Sequence, residues 1–191
     1  MLMKVKGEVL QSLPIFLLKR LGSQKYNNWR NNLTGLAHSV YNGKIDDKEW
    51  YPMDLLLTQP TILLCDMFYS GSMRGAWDCG RYSAEYGLKG IYKVLVKLRS
   101  PSILVQKAGS ILQSLYEPAS LRIENVDKTH ITVYITEFPD MHEALEYRIG
   151  GWMEKALEIS GCKHVNITMP KSLAKNDKYT EFRIKWQKSF T

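Results

Sequence analysis

The stretch from Trp77 to Leu98 constrains this chain more than any other. Ala84, Leu88, Ile91, Leu95 and Leu98 recur at steps of four, three, four and three, which is one face of an α-helix. Glu85, Lys89, Lys93 and Lys97 run along a different face, with Glu85 one turn before Lys89 in the favourable ion-pair orientation. Gly80, Gly87 and Gly90 interrupt this helix. Each costs about 1 kcal/mol relative to alanine in a helix interior. Three such costs in one helix imply a close approach to its backbone, by a packed element or by a ligand.

The rest of the chain divides into a helical lead-in and a mixed core. Met3 to Leu10 reads as a short strand, Ser12 as the cap of a helix running to Leu21, and Gly22 as its stop. Asn27 to Tyr41 and Met53 to Leu57 read as helices, and Pro60 opens another through Phe68. Ser100 and Pro101 start a helix to Tyr116 whose buried stripe is Leu104, Ala108, Ile111 and Leu115.

Beyond Pro118 the period becomes two. Leu121 and Ile123, then Ile131, Val133 and Ile135, alternate with polar residues and predict an antiparallel hairpin. Asp140 and Glu143 have capping-box spacing before a helix carrying Met141, Leu145, Ile149, Trp152, Ala156 and Ile159 and ending at Gly161. Val165 and Ile167 predict a third strand, and Thr180, Phe182, Ile184 and Trp186 a fourth. The expected fold is α+β, with helices packed on a four- or five-stranded antiparallel sheet. It forms a single domain over 1–191, with a mostly helical lead-in over 1–70 and a helix-helix-β-β-α-β-β core over 71–191.

Composition narrows the function classes. The chain has 191 residues and a net charge of +7, yet its longest basic run is Lys19-Arg20, which argues against nucleic acid. The stripe of Lys89, Lys93 and Lys97 reads as a solvated face. No apolar run approaches the roughly 20 residues that span a bilayer, and a cytoplasmic location is expected. Cys65, Cys79 and Cys162 read as free, buried thiols. Cys162 and His164 lack the second ligand pair a zinc site needs, so no metal is expected. Gly71 to Gly75 lacks the lysine and hydroxyl of a phosphate-binding loop. His142, beside Asp140 and Glu143, reads as part of a helix cap rather than as an acid-base group, and no enzyme is expected.

Four landmarks carry a family resemblance: Gly80-Arg81-Tyr82 with Gly87 to Gly90, the Ser100-Pro101 helix start, Arg148 to Trp152, and the strand Tyr179 to Trp186. Together they resemble the superfamily of 4-vinyl-reductase-type ligand-binding domains, haem nitric-oxide-binding domains and the small subunits of the TRAPP vesicle-tethering complex. More narrowly they look like a bacterial branch of it, over roughly Trp77 to Trp186. The resemblance implies frequent homodimers and a pocket for a hydrophobic small molecule. The haem-binding branch uses a helical axial histidine followed by a Tyr-x-Ser-x-Arg clamp. His38 has no such motif downstream and the last strand carries no cysteine, so no cofactor is expected.

The candidate pocket residues are Trp77, Arg81, Tyr82, Leu88, Tyr92, Arg148 and Trp152. Arg81 is either one half of a surface ion pair or the rim group that meets an anionic head. Arg148, beside Glu146 and Glu154, carries the same two readings. The aromatics Tyr82, Tyr86, Tyr92, Trp152, Phe182 and Trp186 either fill a core or line a cavity of about a few hundred Å3 near the glycine-notched helix. The expected function is a non-enzymatic ligand-binding or sensory domain, with a protein-interaction scaffold and a nucleic-acid-associated regulator as alternatives.

Overall fold

The computed structural model describes residues 2–89, 101–124 and 126–187, with the side chains of 88 and 89 also outside the description. Gly90, Tyr92, Lys93, Lys97 and the end of the long helix at Leu98 lie outside these residues.

Two antiparallel sheets organise the chain. The larger has four strands: β4 (Ser120–Glu124), β5 (His130–Glu137), β6 (Lys163–Lys171) and β7 (Thr180–Gln187), in the order β4-β5-β7-β6. Its register places Ile123 opposite Val133, Val133 opposite Phe182, and Ile167 opposite Ile184. Period two therefore selects one buried face: Ile131, Val133, Ile135, Phe182 and Ile184 are all buried. This is the predicted α+β architecture, with every expected strand of the core in place.

The smaller sheet, in the order β2-β1-β3, was not predicted. It joins β1 (Lys4–Lys6), β2 (Trp50–Pro52) and β3 (Tyr116–Glu117). Strands of two or three residues carry no readable alternation, and their partners are far away in sequence. The strand expected over Met3 to Leu10 stops at Lys6. There the amides of Gly7 and Glu8 turn to the carbonyls of Glu49 and Asp47, and helix α1 (Gly7–Phe16) begins.

Seven α-helices surround the sheets among the described residues: α1, then α2 (Ser23–Asn32), α3 (Gly35–Asn42), α4 (Gln59–Tyr69), α5 (Arg74–Lys89), α6 (Pro101–Leu115) and α7 (Glu143–Ile159). The helix expected from Asn27 to Tyr41 is split, because Leu33 and Thr34 are extended and Gly35 has φ of +52°. The expected stops at Gly22 and Gly161 hold, at φ of +93° and +100°. Helix α7 differs at its start. Its cap is His142, whose Nδ1 accepts a hydrogen bond from the Ala144 amide at 3.0 Å, while Asp140 stands outside at φ of +55°.

Helix α7 lies on the sheet through Leu145, Ile149, Ala156 and Leu157 and carries α5 on its other side. At its first turn Glu146 is fully buried and accepts hydrogen bonds from Ser172 Oγ at 2.7 Å and from Thr180 Oγ1. These bonds tie the β6–β7 connection to the helix.

Candidate functional site

The glycine-notched helix meets another helix. A methyl group on Gly80 would lie 1.9 Å from the Arg148 carbonyl oxygen, and one on Gly151 would lie 2.1 Å from the Trp77 carbonyl oxygen. A methyl on Gly150 would strike the Trp77 ring at 2.5 Å. Helices α5 and α7 thus cross backbone to backbone, which only residues lacking a Cβ permit. The close approach inferred from the sequence is made by α7 at Gly80, whereas Gly87 faces open space.

Beside this seam lies an apolar cavity of about 60 Å3. Helix α5 contributes Gly80 and Ser83, and α6 contributes Ala108, Ile111, Leu112 and Leu115. Arg148, Ile149, Trp152 and Met153 come from α7, and Val9, Tyr116 and Leu121 close the remaining sides. Small residues at 80, 83 and 108 face large ones, and the space their side chains leave is the cavity. Its volume falls well short of the expected few hundred Å3 that holds a drug-sized molecule. A ligand here is limited to a handful of non-hydrogen atoms.

One charged group borders the cavity. Arg148 is only 2% exposed. Its Nη2 donates to Ser12 Oγ at 3.3 Å, and its Nη1 has no hydrogen-bond partner among the described residues. Among the described residues no carboxylate lies within ion-pair distance of it. Cys79 and Tyr116 lie close to the guanidinium, yet burial dominates at both. It pushes the Cys79 thiol up to about 12 and raises the Tyr116 hydroxyl, against the lowering effect of Arg148. These neighbours stay protonated at neutral pH, so the described residues supply Arg148 with no counter-charge.

The other candidates occupy different places. Trp152 lines the cavity with Arg148. Trp77 packs on the α7 glycines and donates its indole N–H to Glu154 at 2.8 Å. Arg81 is paired with Glu154 and with Glu158, the latter at 2.8 Å, on the outer side of the seam. The network continues through Lys155 to Glu85 at 3.2 Å and through Arg20 to Glu85 at 2.7 Å. Tyr82 stacks edge-on against Phe16 with centroids 5.7 Å apart and borders an outer groove with Arg20, Arg81 and Glu85. Of the five candidates whose side chains are described, the cavity brings together two, Arg148 and Trp152. The side chain of Leu88 and the whole of Tyr92 lie outside the described residues.

Sequence reasoning missed Ser12, which reads as a cap but sits inside α1, donating to the Val9 carbonyl at 2.6 Å while accepting from Arg148. It also left Ala108 and Ile111 as plain core positions. The only signal available for the α6 wall was its apolar stripe, which does not distinguish a filled core from a hollow one.

No family model matches the sequence, and no curated protein is similar to it in sequence. Solved structures are similar in fold. An H-NOX protein from S. oneidensis in the Fe(II) ligation state, carrying three substitutions, aligns with a TM-score of 0.77 at 11% identity, over 97% of this chain and 98% of that one. A mutant H-NOX protein from K. algicida, Fe(II) and unliganded, gives 0.71 at 12% identity over 97% and 98%. The Shewanella oneidensis H-NOX domain in its Fe(II)CO state gives 0.69 at 13% identity over 95% and 98%. The described part of the chain has the fold of these H-NOX proteins.

The iron in those proteins raises the question whether a haem fits here. The chain has four histidines. His38 is exposed on α3, His130 pairs with Asp127 at 2.6 Å, His142 caps α7, and His164 is exposed on β6. None lines the cavity. No Tyr-x-Ser-x-Arg run occurs anywhere in the sequence. A cavity of about 60 Å3 has no room for a porphyrin. The residues present do not fit a haem.

Proposed function

We propose that this chain is a non-enzymatic small-molecule-binding or sensory domain. It takes up an apolar ligand directly, without a haem, in the cavity between α5, α6, α7 and β4. The observation that carries this reading is the cavity itself, almost wholly apolar in surface, with Arg148, Ser83 and Tyr116 in its lining, in a fold shared with H-NOX proteins described in Fe(II)NO and Fe(II)CO ligation states. Burial of the apolar part of the ligand supplies the binding energy, at about 25 cal/mol per Å2 removed from water. Trp152 and Met153 form the adaptable part of the wall.

Native mass spectrometry of protein purified from its own host tests the reading. The expected result is a retained organic mass that leaves under mild activation, and haemin titration that yields no Soret band of a histidine-ligated iron. Protein that carries no adduct and takes up no small apolar probe would defeat it and favour a scaffold with a filled core. Haemin binding with a histidine-type spectrum would defeat the haem-free part.

A further inference from the structure

We infer that the cavity takes an uncharged molecule with no hydrogen-bonding group, of about four to six non-hydrogen atoms, and that Ser83 and Ala108 are the residues that keep room for it. This rests on the ligand-binding reading above and names the class of ligand.

Arg148 offers a ligand no charged contact. Its Nη1 is enclosed, its Nη2 donates to Ser12 Oγ at 3.3 Å, and the Cys79 thiol and Tyr116 hydroxyl meet the same guanidinium. The charge is turned to the protein interior and away from the void. The surface that the lining presents is almost wholly apolar, although Ser83, Tyr116 and Arg148 belong to it. A carboxylate, ammonium or amide placed there would give up its water and find almost nothing in exchange. A hydrocarbon gives up no hydrogen bonds, and a void with such walls stays dry without it.

The volume sets the size. About 60 Å3 compares with the roughly 10–15 Å3 that one water-sized sphere needs, which leaves room for about four to six atoms. Three small residues leave this space. The helix seam accounts for Gly80, where a methyl would lie 1.9 Å from the Arg148 carbonyl oxygen. Ser83 and Ala108 line the void from α5 and α6, and a branched side chain at either position would occupy it. Helix α6 buries Leu104, Ile111, Leu112 and Leu115, yet at this point it presents an alanine and forgoes apolar burial. Such a concession of stability is what a binding site makes.

The test is nuclear magnetic resonance titration of the full chain, labelled at its Ile, Leu and Met methyl groups, with benzene, cyclopentane, pyridine, butyrate and naphthalene. The expected result is saturable shifts at Ile111, Leu112 and Met153 with benzene and cyclopentane, and none with butyrate or naphthalene. Pyridine matches benzene in size but carries a polar nitrogen, and it is expected to bind at least about tenfold more weakly. Ala108→Leu is expected to weaken benzene binding at least about tenfold and to raise the urea midpoint of the unliganded protein, because it fills a void. If pyridine or butyrate binds as tightly as benzene, the class named here is refuted while the cavity reading stands. Naphthalene binding as tight as benzene would refute the size limit. If no probe binds, the cavity reading falls as well. Benzene binding that Ala108→Leu leaves undiminished would overturn the inference, since the probe would then lie elsewhere. Should that variant not fold, Ser83→Val is judged by the same two readouts.

Discussion

Gly80, Gly151 and Gly87 belong to the same pair of helices and answer opposite physical demands. At Gly80 and Gly151 an added methyl would meet the backbone of the facing helix at 1.9 and 2.1 Å, and backbone cannot rotate out of the way as a side chain can. Gly80→Ala or Gly151→Ala is therefore expected to lower stability by about 2–3 kcal/mol, read as a lower urea midpoint at unchanged slope. At Gly87 a methyl would meet nothing within 4 Å. Gly87→Ala is expected to raise stability by about 0.5–1 kcal/mol, by restricting the unfolded chain and removing the helix penalty of glycine. A destabilised Gly87→Ala would mean that something beyond the described residues packs there.

At the scale of elements, α5 and α7 are joined inside by the glycine seam and outside by charge. Burial alone would raise Glu85 and Glu158. The hydrogen bonds and charges of Lys155 and Arg20 at Glu85, and of Arg81 and Lys155 at Glu158, outweigh it and hold both below the ordinary 4.5. A carboxylate with a depressed folded pKa contributes stability that is complete above its unfolded value and is lost as pH falls through the folded one. Stability is expected to drop between about pH 5 and about pH 3 as these acids protonate. Arg81→Gln removes the main partner of Glu158. The variant is expected to be less stable than the parent at pH 7, with the gap closing towards pH 3, as measured by denaturant midpoints across that range. A gap that is constant with pH would show that Arg81 acts by packing alone.

For the whole molecule, the open question is assembly. Five tryptophans, eleven tyrosines and eight methionines give the chain many large, adaptable apolar side chains, which are enriched in interfaces. Many of these are spent internally: Trp29 is fully buried, and Trp186, Tyr41 and Tyr116 are nearly so. Tyr86, on α5, remains 41% exposed. The α5 and α6 faces are proposed to meet their symmetry mates across a two-fold axis. Sedimentation equilibrium at micromolar concentration is expected to give twice the 22.1 kDa chain mass. A monomer mass that does not drift upward with concentration would end the dimer proposal. Among the described residues no helix is long and apolar enough to cross a membrane.

Local rules determined the elements of this protein. Period two in Leu121 to Ile135 and Thr180 to Trp186, the apolar spacing through Leu145, Ile149 and Ala156, and the stops at Gly22 and Gly161 act over a few residues, and each is realised in the fold. What the tertiary structure decided are the relations between distant residues. The β2-β1-β3 sheet pairs Val5 with Tyr51 and Tyr116, which no local pattern encodes. The glycines of α5 were legible as a demand for close approach, but which backbone fills the notch depends on how α7 lands on the sheet. The two arginines show the difference most clearly. Arg81 and Arg148 looked alike in the sequence, each near glutamates. Helix geometry turns Arg81 towards Glu154 and Glu158, and buries Arg148 beside Ser12 from α1, Cys79 and Tyr116, with no carboxylate in reach among the described residues. Which arginine meets an acid depends on how α1, α5 and α7 fold together, so only the folded chain could disclose it.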